Sequence, residues 1–254
     1  ISPGNTGGIY AAATIRLRTL PGVSRGAIAT VIPAPDNEFV LLDSGASVEC
    51  KPWYLAEFAI MGSVYAREIL GVKRPRVGIL STGTEANKGT ELPLAALQIS
   101  RTLDLNFLGN VEGHGLFANH VDVVVCDGFV GNIVLKTCES MAKGMFGWLK
   151  RELMQNTKPR LGALLAKNAF RTIKYRLDSD NYGGAPLLGL NGIVIKVHAS
   201  ARERAFMNAI RVAGESIGQN INHVIAREMA QAAPCLEEAK QALQIETPEA
   251  VVTA

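Results

Sequence analysis

Short apolar runs alternate with longer stretches that place apolar residues at helical spacing, and this rhythm predicts an α/β protein. Residues 27–32 and 39–43 read as strands, and the short polar, proline-containing link at 33–37 predicts an antiparallel hairpin. Residues 7–19 and 52–70 read as helices, the second with Pro52 in its first turn and Gly71 as its stop. A strand at 76–81, a helix at 90–102 and strands at 105–108 and 121–126 follow. A long helix covers 132–156, with Pro159 as the break before a second helical run at 160–177. A strand at 193–198 and a helix at 201–229 complete the core, and after Pro234 a short helix and a loose end are expected. The predicted fold is a three-layer α/β/α sandwich around a mostly parallel sheet. One domain spans 1–230 and includes a helical arm at 143–178, with a tail at 231–254.

The strand exits carry the chemistry. Val123–Val125 and Cys126 form an apolar run that stops at Asp127, Gly128, Gly131 and Asn132, with Lys136 in the opening turns of the next helix. Open α/β sheets bind ligands at such strand-to-helix turns. The strand at 76–81 runs into Ser81, Thr82, Gly83, Glu85 and Lys88, which suits an oxyanion although the lysine precedes the second glycine and so forms no Walker A loop. Further turns of small polar residues are Asp43, Ser44 and Gly45, then Gly4, Asn5, Thr6 and Gly7, and finally His198 and Ser200. If all the strands are parallel, these five turns converge on one edge of the sheet.

Bulk properties narrow the class. The chain has 254 residues, with 48% hydrophobic content, enough for one substantial core. No apolar run reaches transmembrane length. Four scattered cysteines and four separated histidines predict reduced thiols in a cytoplasmic protein and no metal site. The absence of G-x-G-x-x-G after a strand disfavours a nicotinamide dehydrogenase. Charge is uneven: residues 143–176 hold nine Lys or Arg and one acid, Glu152, in a chain whose net charge is +3. In that arm Ala166, Ala169, Phe170, Ile173 and Leu177 fall on one helical stripe flanked by Lys167, Arg171 and Lys174. An apolar stripe beside cations predicts a helix lying on an anionic membrane surface, with a helix packed on its own protein or on a second subunit as the alternative.

The same residues carry a resemblance. Gly-Asn-Thr-Gly at 4–7, Leu-Asp-Ser-Gly-Ala at 42–46, Glu-x-x-Lys-Gly at 85–89, Asn-Phe-Leu-Gly-Asn-Val-Glu-Gly at 106–113, Asp-Gly-Phe-Val-Gly-Asn at 127–132 and Tyr-Gly-Gly-Ala-Pro-Leu-Leu-Gly-Leu at 182–190 stand in this order. Together they resemble the bacterial phosphate acyltransferases of phospholipid synthesis over roughly residues 2 to 220. Three departures stand out. Ser47 replaces the family's usual Asn. His198-Ala199-Ser200-Ala201 replaces its His-Gly-Ser-Ser. The family's N-terminal portion, with the strand leading into the Gly-Asn-Thr-Gly loop, is expected to lie before Ile1.

The resemblance implies a phosphotransacetylase-like fold and an enzyme that makes acyl phosphate from a fatty acyl carrier protein thioester and inorganic phosphate, without a cofactor. It implies a homodimer, a downstream acyltransferase that takes up the product, and no nucleic-acid partner. Phosphate is itself the nucleophile in that reaction, so the protein must orient it and stabilise the developing oxyanion. Asn132, Lys136, His198 and Ser200 are the candidate catalytic residues. Gly4, Asn5, Thr6, Gly7, Asp43, Ser44, Ser81, Thr82, Gly83, Glu85, Lys88, Asp127 and Gly131 are the candidate phosphate and substrate contacts, with backbone amides at 4–7 and 131–132 as donors. Asp43, Glu85 and Asp127 read equally well as loop caps. The alternatives are a phosphotransacetylase-like enzyme acting on coenzyme A thioesters and an inactive membrane-associated scaffold of the same fold.

Overall fold

A computed structural model describes residues 1–118, 121–199 and 201–246. Eight strands form one mixed sheet: β1 (Ser2–Pro3), β2 (Ala27–Pro33), β3 (Glu38–Leu42), β4 (Arg76–Ser81), β5 (Asn106–Glu112), β6 (Val123–Val125), β7 (Ala185–Leu188) and β8 (Ile195–Val197). Their spatial order is β1-β8-β7-β2-β3-β6-β4-β5. The helices are α1 (Thr6–Leu17), α2 (Pro52–Glu68), α3 (Glu91–Ser100), α4 (Gly128–Gln155), α5 (Thr157–Leu165), α6 (Lys167–Arg176), α7 (Glu203–Gly218) and α8 (Ile221–Glu246).

The period-two pattern decides which face each strand residue covers. Ala27, Ala29 and Val31 of β2, Val40 and Leu42 of β3, Val77 and Ile79 of β4, and Val123 and Val125 of β6 bury one face under α2, α3 and α8. The alternate residues Ile32, Phe39, Leu41 and Val124 meet Val130, Val134 and Leu135 of α4 on the other face. Ile28 and Leu187 meet Tyr10 and Ala13 of α1 on that second face. Ile195 and Val197 of β8 pack on Ala209 and Val212 of α7, so Lys196 between them points to the opposite face, that of α1 and α4. The α/β class and the three layers are as the hydrophobic pattern predicts.

The sheet is mostly parallel and the β2–β3 hairpin antiparallel, as expected, but not every strand is parallel. β3, β6, β4 and β5 are mutually parallel. β2 is antiparallel to β3 and to β7, and β7 is antiparallel to β8. β1 runs parallel to β8. The turns leaving β3, β4 and β6 therefore share one edge, whereas those leaving β1 and β8 lie at the other. The five turns do not converge. A two-residue strand does precede the Gly-Asn-Thr-Gly turn, where none was expected: Ser2 and Pro3 register against Lys196 and Val197.

The helix boundaries also shift. The break after α4 falls at Asn156, in extended conformation, and Pro159 sits in the first turn of α5, where its missing N–H costs nothing. The expected single helix at 201–229 is two, divided at Asn220, whose φ is 51°. The helix expected after Pro234 is not a separate one: α8 runs through Pro234 and through the expected domain boundary at 230 to Glu246, and the loose end expected beyond it lies outside the described residues. Leu236 is buried in the main core, and Lys240 Nζ lies 3.7 Å from the buried Glu57, which also accepts from the Ser24 amide and hydroxyl. Burial of an apolar stripe outweighs the one backbone hydrogen bond that proline removes.

Candidate active site

On the edge shared by β3, β6 and β4, α4 ties the turn after β3 to the exit of β6. Asp127 is the helix N-cap and accepts from the amides of Phe129 and Val130, both at 2.9 Å. The Gly128 amide donates to Ser47 O at 2.7 Å, and the Gly131 amide to Asp127 O at 2.9 Å. The opening amides of α4 are thus already used, which corrects the expectation that Gly131 and Asn132 offer backbone donors. Gly131 serves packing instead, since a Cβ there would fall 1.9 Å from Asp43 O. Asn132 contributes its exposed side chain, next to Gly45, and shares a helix face with Lys136 one turn on.

The turn after β3 is built inward. Asp43 is fully buried, and its carboxylate accepts from the amides of Ile28, Gly45, Ala46 and Ser47 at 2.7–3.1 Å. Burial pushes the Asp43 carboxyl up, and these amides pull it back. Ser44 is buried too; its hydroxyl donates to Ile28 O and sits 2.6 Å from Thr30 Oγ1. Ser47 accepts from Arg25 Nε at 2.6 Å, and the Arg25 guanidinium lies over the Tyr10 ring. Asp43 and Ser44 are consumed in holding the turn, so a role as substrate contacts is not what their geometry offers; Asp127 uses one carboxylate oxygen, Oδ1, as the cap. Cys50 and Cys126 flank this turn. Burial, then the charges of Asp43 and Asp127, push Cys50 up to about 12, and burial pushes Cys126 well above the usual thiol range. Neither supplies a thiolate nucleophile.

The turn after β4 is built outward. Ser81 Oγ donates to Lys88 O, and Asn110 Nδ2 on β5 donates to Glu85 O at 2.7 Å and Lys88 O at 3.1 Å. Gly89 closes the turn at φ +120°, where a Cβ would also meet Ser81 Oγ. Gly83 is buried beneath the turn, while Thr82, Glu85 and Lys88 are exposed. Asn110 was quoted in sequence only as part of a motif; here it holds the backbone that presents Lys88.

At the other edge, Asn5 caps α1 by accepting from the Gly8 amide at 3.0 Å, which leaves Thr6 and Gly7 as the first-turn residues whose amides lack helical partners. His198 is exposed just after β8. Ser200 lies outside the described residues. Between the edges, a cavity of about 440 Å³ opens on the α1 and α4 face of the sheet. Lys136, His198 and Lys196 all line it. Lys136 is paired with Glu139 at 2.9 Å. Lys196 has no ion-pair partner among the described residues; burial, then Lys136, lowers its pKa. Sequence reading missed Lys196, although a lysine between Ile195 and Val197, both core-facing, had to face the other way.

The candidate membrane residues fall on an open arm. α5 and α6 contain no buried residue. Phe170 is half-buried, whereas Lys167, Arg171, Ile173, Lys174 and Leu177 are exposed. Among the described residues no helix is long and apolar enough to cross a membrane, and no cluster of His, Cys, Asp or Glu could hold a metal ion.

This mixed sheet, covered by helices on both faces, places the chain in the α/β class, with a fold similar to that of a solved phosphotransacetylase. A phosphotransacetylase from Streptococcus pyogenes superposes with a TM-score of 0.56 at 20% identity, covering 85% of this chain and 61% of that one; the likeness concerns the fold alone. The chain belongs to the fatty acid synthesis protein family, whose model matches residues 1–224. It is 44% identical over 238 residues to the phosphate acyltransferase of Syntrophotalea carbinolica, covering 94% of this chain and 69% of that protein. It is 48% identical over 226 residues to the phosphate acyltransferase of Desulforudis audaxviator, covering 89% of this chain and 68% of that protein. The chain is thus a phosphate acyltransferase homologue that spans about two thirds of the length of these relatives.

Proposed function

We propose that the chain transfers a fatty acyl group from the thioester of an acyl carrier protein to inorganic phosphate. A phosphate oxygen attacks the carbonyl carbon, the new C–O bond forms, the C–S bond breaks, and the carrier thiol leaves with a proton. The observation that carries this reading is that Lys136, Lys196 and His198 meet in one cavity while Asn132 stands one helical turn from Lys136. The lysines supply charge for phosphate, and the Asn132 amide supplies a donor for the developing oxyanion, where one lost donor costs about 3–4 kcal/mol. His198 stands where it can pass a proton to the departing sulfur. Lys88, on the edge where α4 begins, offers a further cation for the incoming phosphate. Asn132→Ala and Lys136→Ala should each lower phosphate-dependent turnover of acyl carrier protein thioester at least tenfold, about 1.4 kcal/mol, with little change in melting temperature. Normal turnover in both variants would remove the site from this helix. Turnover only with coenzyme A thioesters would replace the donor.

The same reading makes the protein a cytoplasmic homodimer in peripheral contact with anionic membrane, delivering acyl phosphate to a downstream acyltransferase. Support comes from the arm: Trp148, Leu161, Leu164, Leu165 and Ile173 are all exposed beside its cations. Each cation adds about 1 kcal/mol near an anionic leaflet. Sedimentation with anionic vesicles should be weakened by salt and by Phe170→Asp or Ile173→Asp. Equal binding to neutral and anionic vesicles, or binding to neither, defeats the membrane contact. Dissociation of a dimer by these substitutions assigns the stripe to a subunit interface.

A further inference from the structure

The cavity that holds Lys136 and Lys196 has a second, chemically different end. Its apolar lining includes Ile32, Phe117, Leu135, Met141, Met145 and Leu177. Met141 and Met145 are more than half exposed and follow Lys136 along α4, so the apolar wall extends roughly 13 Å along the helix from Lys136 to Met145. Methionine side chains are unbranched and adaptable, which suits a wall against a flexible chain. One end is therefore cationic, and from there an apolar trough follows α4. Lys136 is shared with Glu139, and the other titratable groups lining the cavity are Cys138, Asp180, Tyr182 and His198. Lys196 is half-buried and makes no ion pair among the described residues; Glu139 is the acid that acts on it, and it is already paired with Lys136, so two cations share one carboxylate and a second anion is accommodated there.

An occupant must match both ends at once: an anionic head and a linear apolar tail. Resting on the acyl-transfer reading above, we propose that this trough binds the acyl chain, with the phosphate end of the product held by Lys196 and Lys136, and that its length sets which acyl chains are accepted. The polar end alone would bind phosphate without regard to the tail. The apolar end adds a contribution that grows with each buried methylene until the wall ends.

The test uses n-alkyl phosphates as probes, titrated calorimetrically into the protein. Affinity should rise with chain length from ethyl to decyl phosphate and then level off. Ala142 lines the same wall. Ala142→Trp should fill the trough and lower the ratio of decyl to ethyl phosphate affinity at least tenfold. Lys196→Met should weaken every member of the series by a similar factor, at least tenfold, and so leave that ratio unchanged. If Ala142→Trp fails to fold by circular dichroism, Met145→Trp makes the same measurement nearer the open end. No rise in affinity from ethyl to decyl phosphate in the unmodified protein overturns the inference. An unchanged ratio in the folded tryptophan variants overturns it too, and so does an unchanged ratio accompanied by dissociation of a dimer, which gives the wall to a second copy. The acyl-transfer reading fails separately: it falls if the protein shows no phosphate-dependent turnover, whatever the alkyl phosphates do.

Discussion

The turns after β3 and β4 look alike in sequence and do opposite work. Each has an acid, a hydroxyl and glycine at a strand exit. After β3, the acid points inward: Asp43 is fully buried, and four backbone amides fill its carboxylate. After β4, Glu85 and Lys88 point outward, and a neighbouring strand holds the turn through Asn110. The first turn joins β3, β2 and α4 and spends its polar groups on that task. The second has its backbone fixed by a side chain from elsewhere, so its own charged groups remain available. A polar residue at a strand end serves chemistry only if something else carries the structure.

The strongest way to break this comparison is at Asp43. Asp43→Ala removes the acceptor from the amides of Ile28, Gly45, Ala46 and Ser47 in a buried site. Each unsatisfied amide costs about 1–3 kcal/mol, so the loss should be on the order of 3 kcal/mol or more, read as a fall in the denaturant midpoint. If Asp43→Ala keeps its midpoint and loses turnover instead, the carboxylate belongs to the chemistry and the distinction collapses.

The complementary change is at Lys88. On the proposed function, Lys88→Ala should lower phosphate-dependent turnover at least tenfold, about 1.4 kcal/mol in the barrier, because it removes a cation proposed for the incoming phosphate. The melting temperature should hold, since the groups that fix the turn are Asn110 Nδ2 and the Ser81 hydroxyl, not the lysine side chain. Asn110→Ala serves as the control, and it should lose both stability and turnover.

The contrast also explains what was legible in the sequence. The β2–β3 hairpin, α2, β4 and the two-faced burial of the sheet follow from periodicity, because burial enforces period two in strands and helical spacing in helices. Direction does not follow: alternation in Ile195, Lys196 and Val197 fixes which face each residue covers, and it reads the same whichever way β8 runs. The turn at 4–7 and His198 join the other turns only on the condition that all strands are parallel; that condition fails, and they lie at the other edge. Composition likewise cannot distinguish an N-cap from a ligand contact. Asp127 was weighed as both, and its bonds to the Phe129 and Val130 amides show the cap, made through Oδ1 alone. Gly131 reads as a loop glycine, but its amide is already an intrahelical donor.

A third carboxylate sharpens the comparison with the smallest expected effect. Asp122 stands before β6, at the end of that strand away from Asp127, and accepts from the Arg76 amide at 2.8 Å and from the Arg76 guanidinium at 2.9 Å on both oxygens. Like Asp43 it ties strands together; unlike Asp43 it does so with a charged partner that solvent reaches. Burial pushes its carboxyl up, but the hydrogen bonds and charge of Arg76 outweigh burial and hold it below the ordinary value. The unfolded chain therefore binds this proton more readily than the folded one does. The stabilisation is fully present above the unfolded carboxylate value of about 3.9 and is lost as pH falls through the lower folded value. Asp122→Asn should cost about 1 kcal/mol near neutrality, a modest amount because Arg76 is partly exposed. Urea titrations of both proteins between neutral pH and pH 3 should show that difference narrowing below pH 4. A difference that stays constant to pH 3 would mean that the Asp122 charge contributes nothing and that shape and neutral hydrogen bonding alone hold the start of β6.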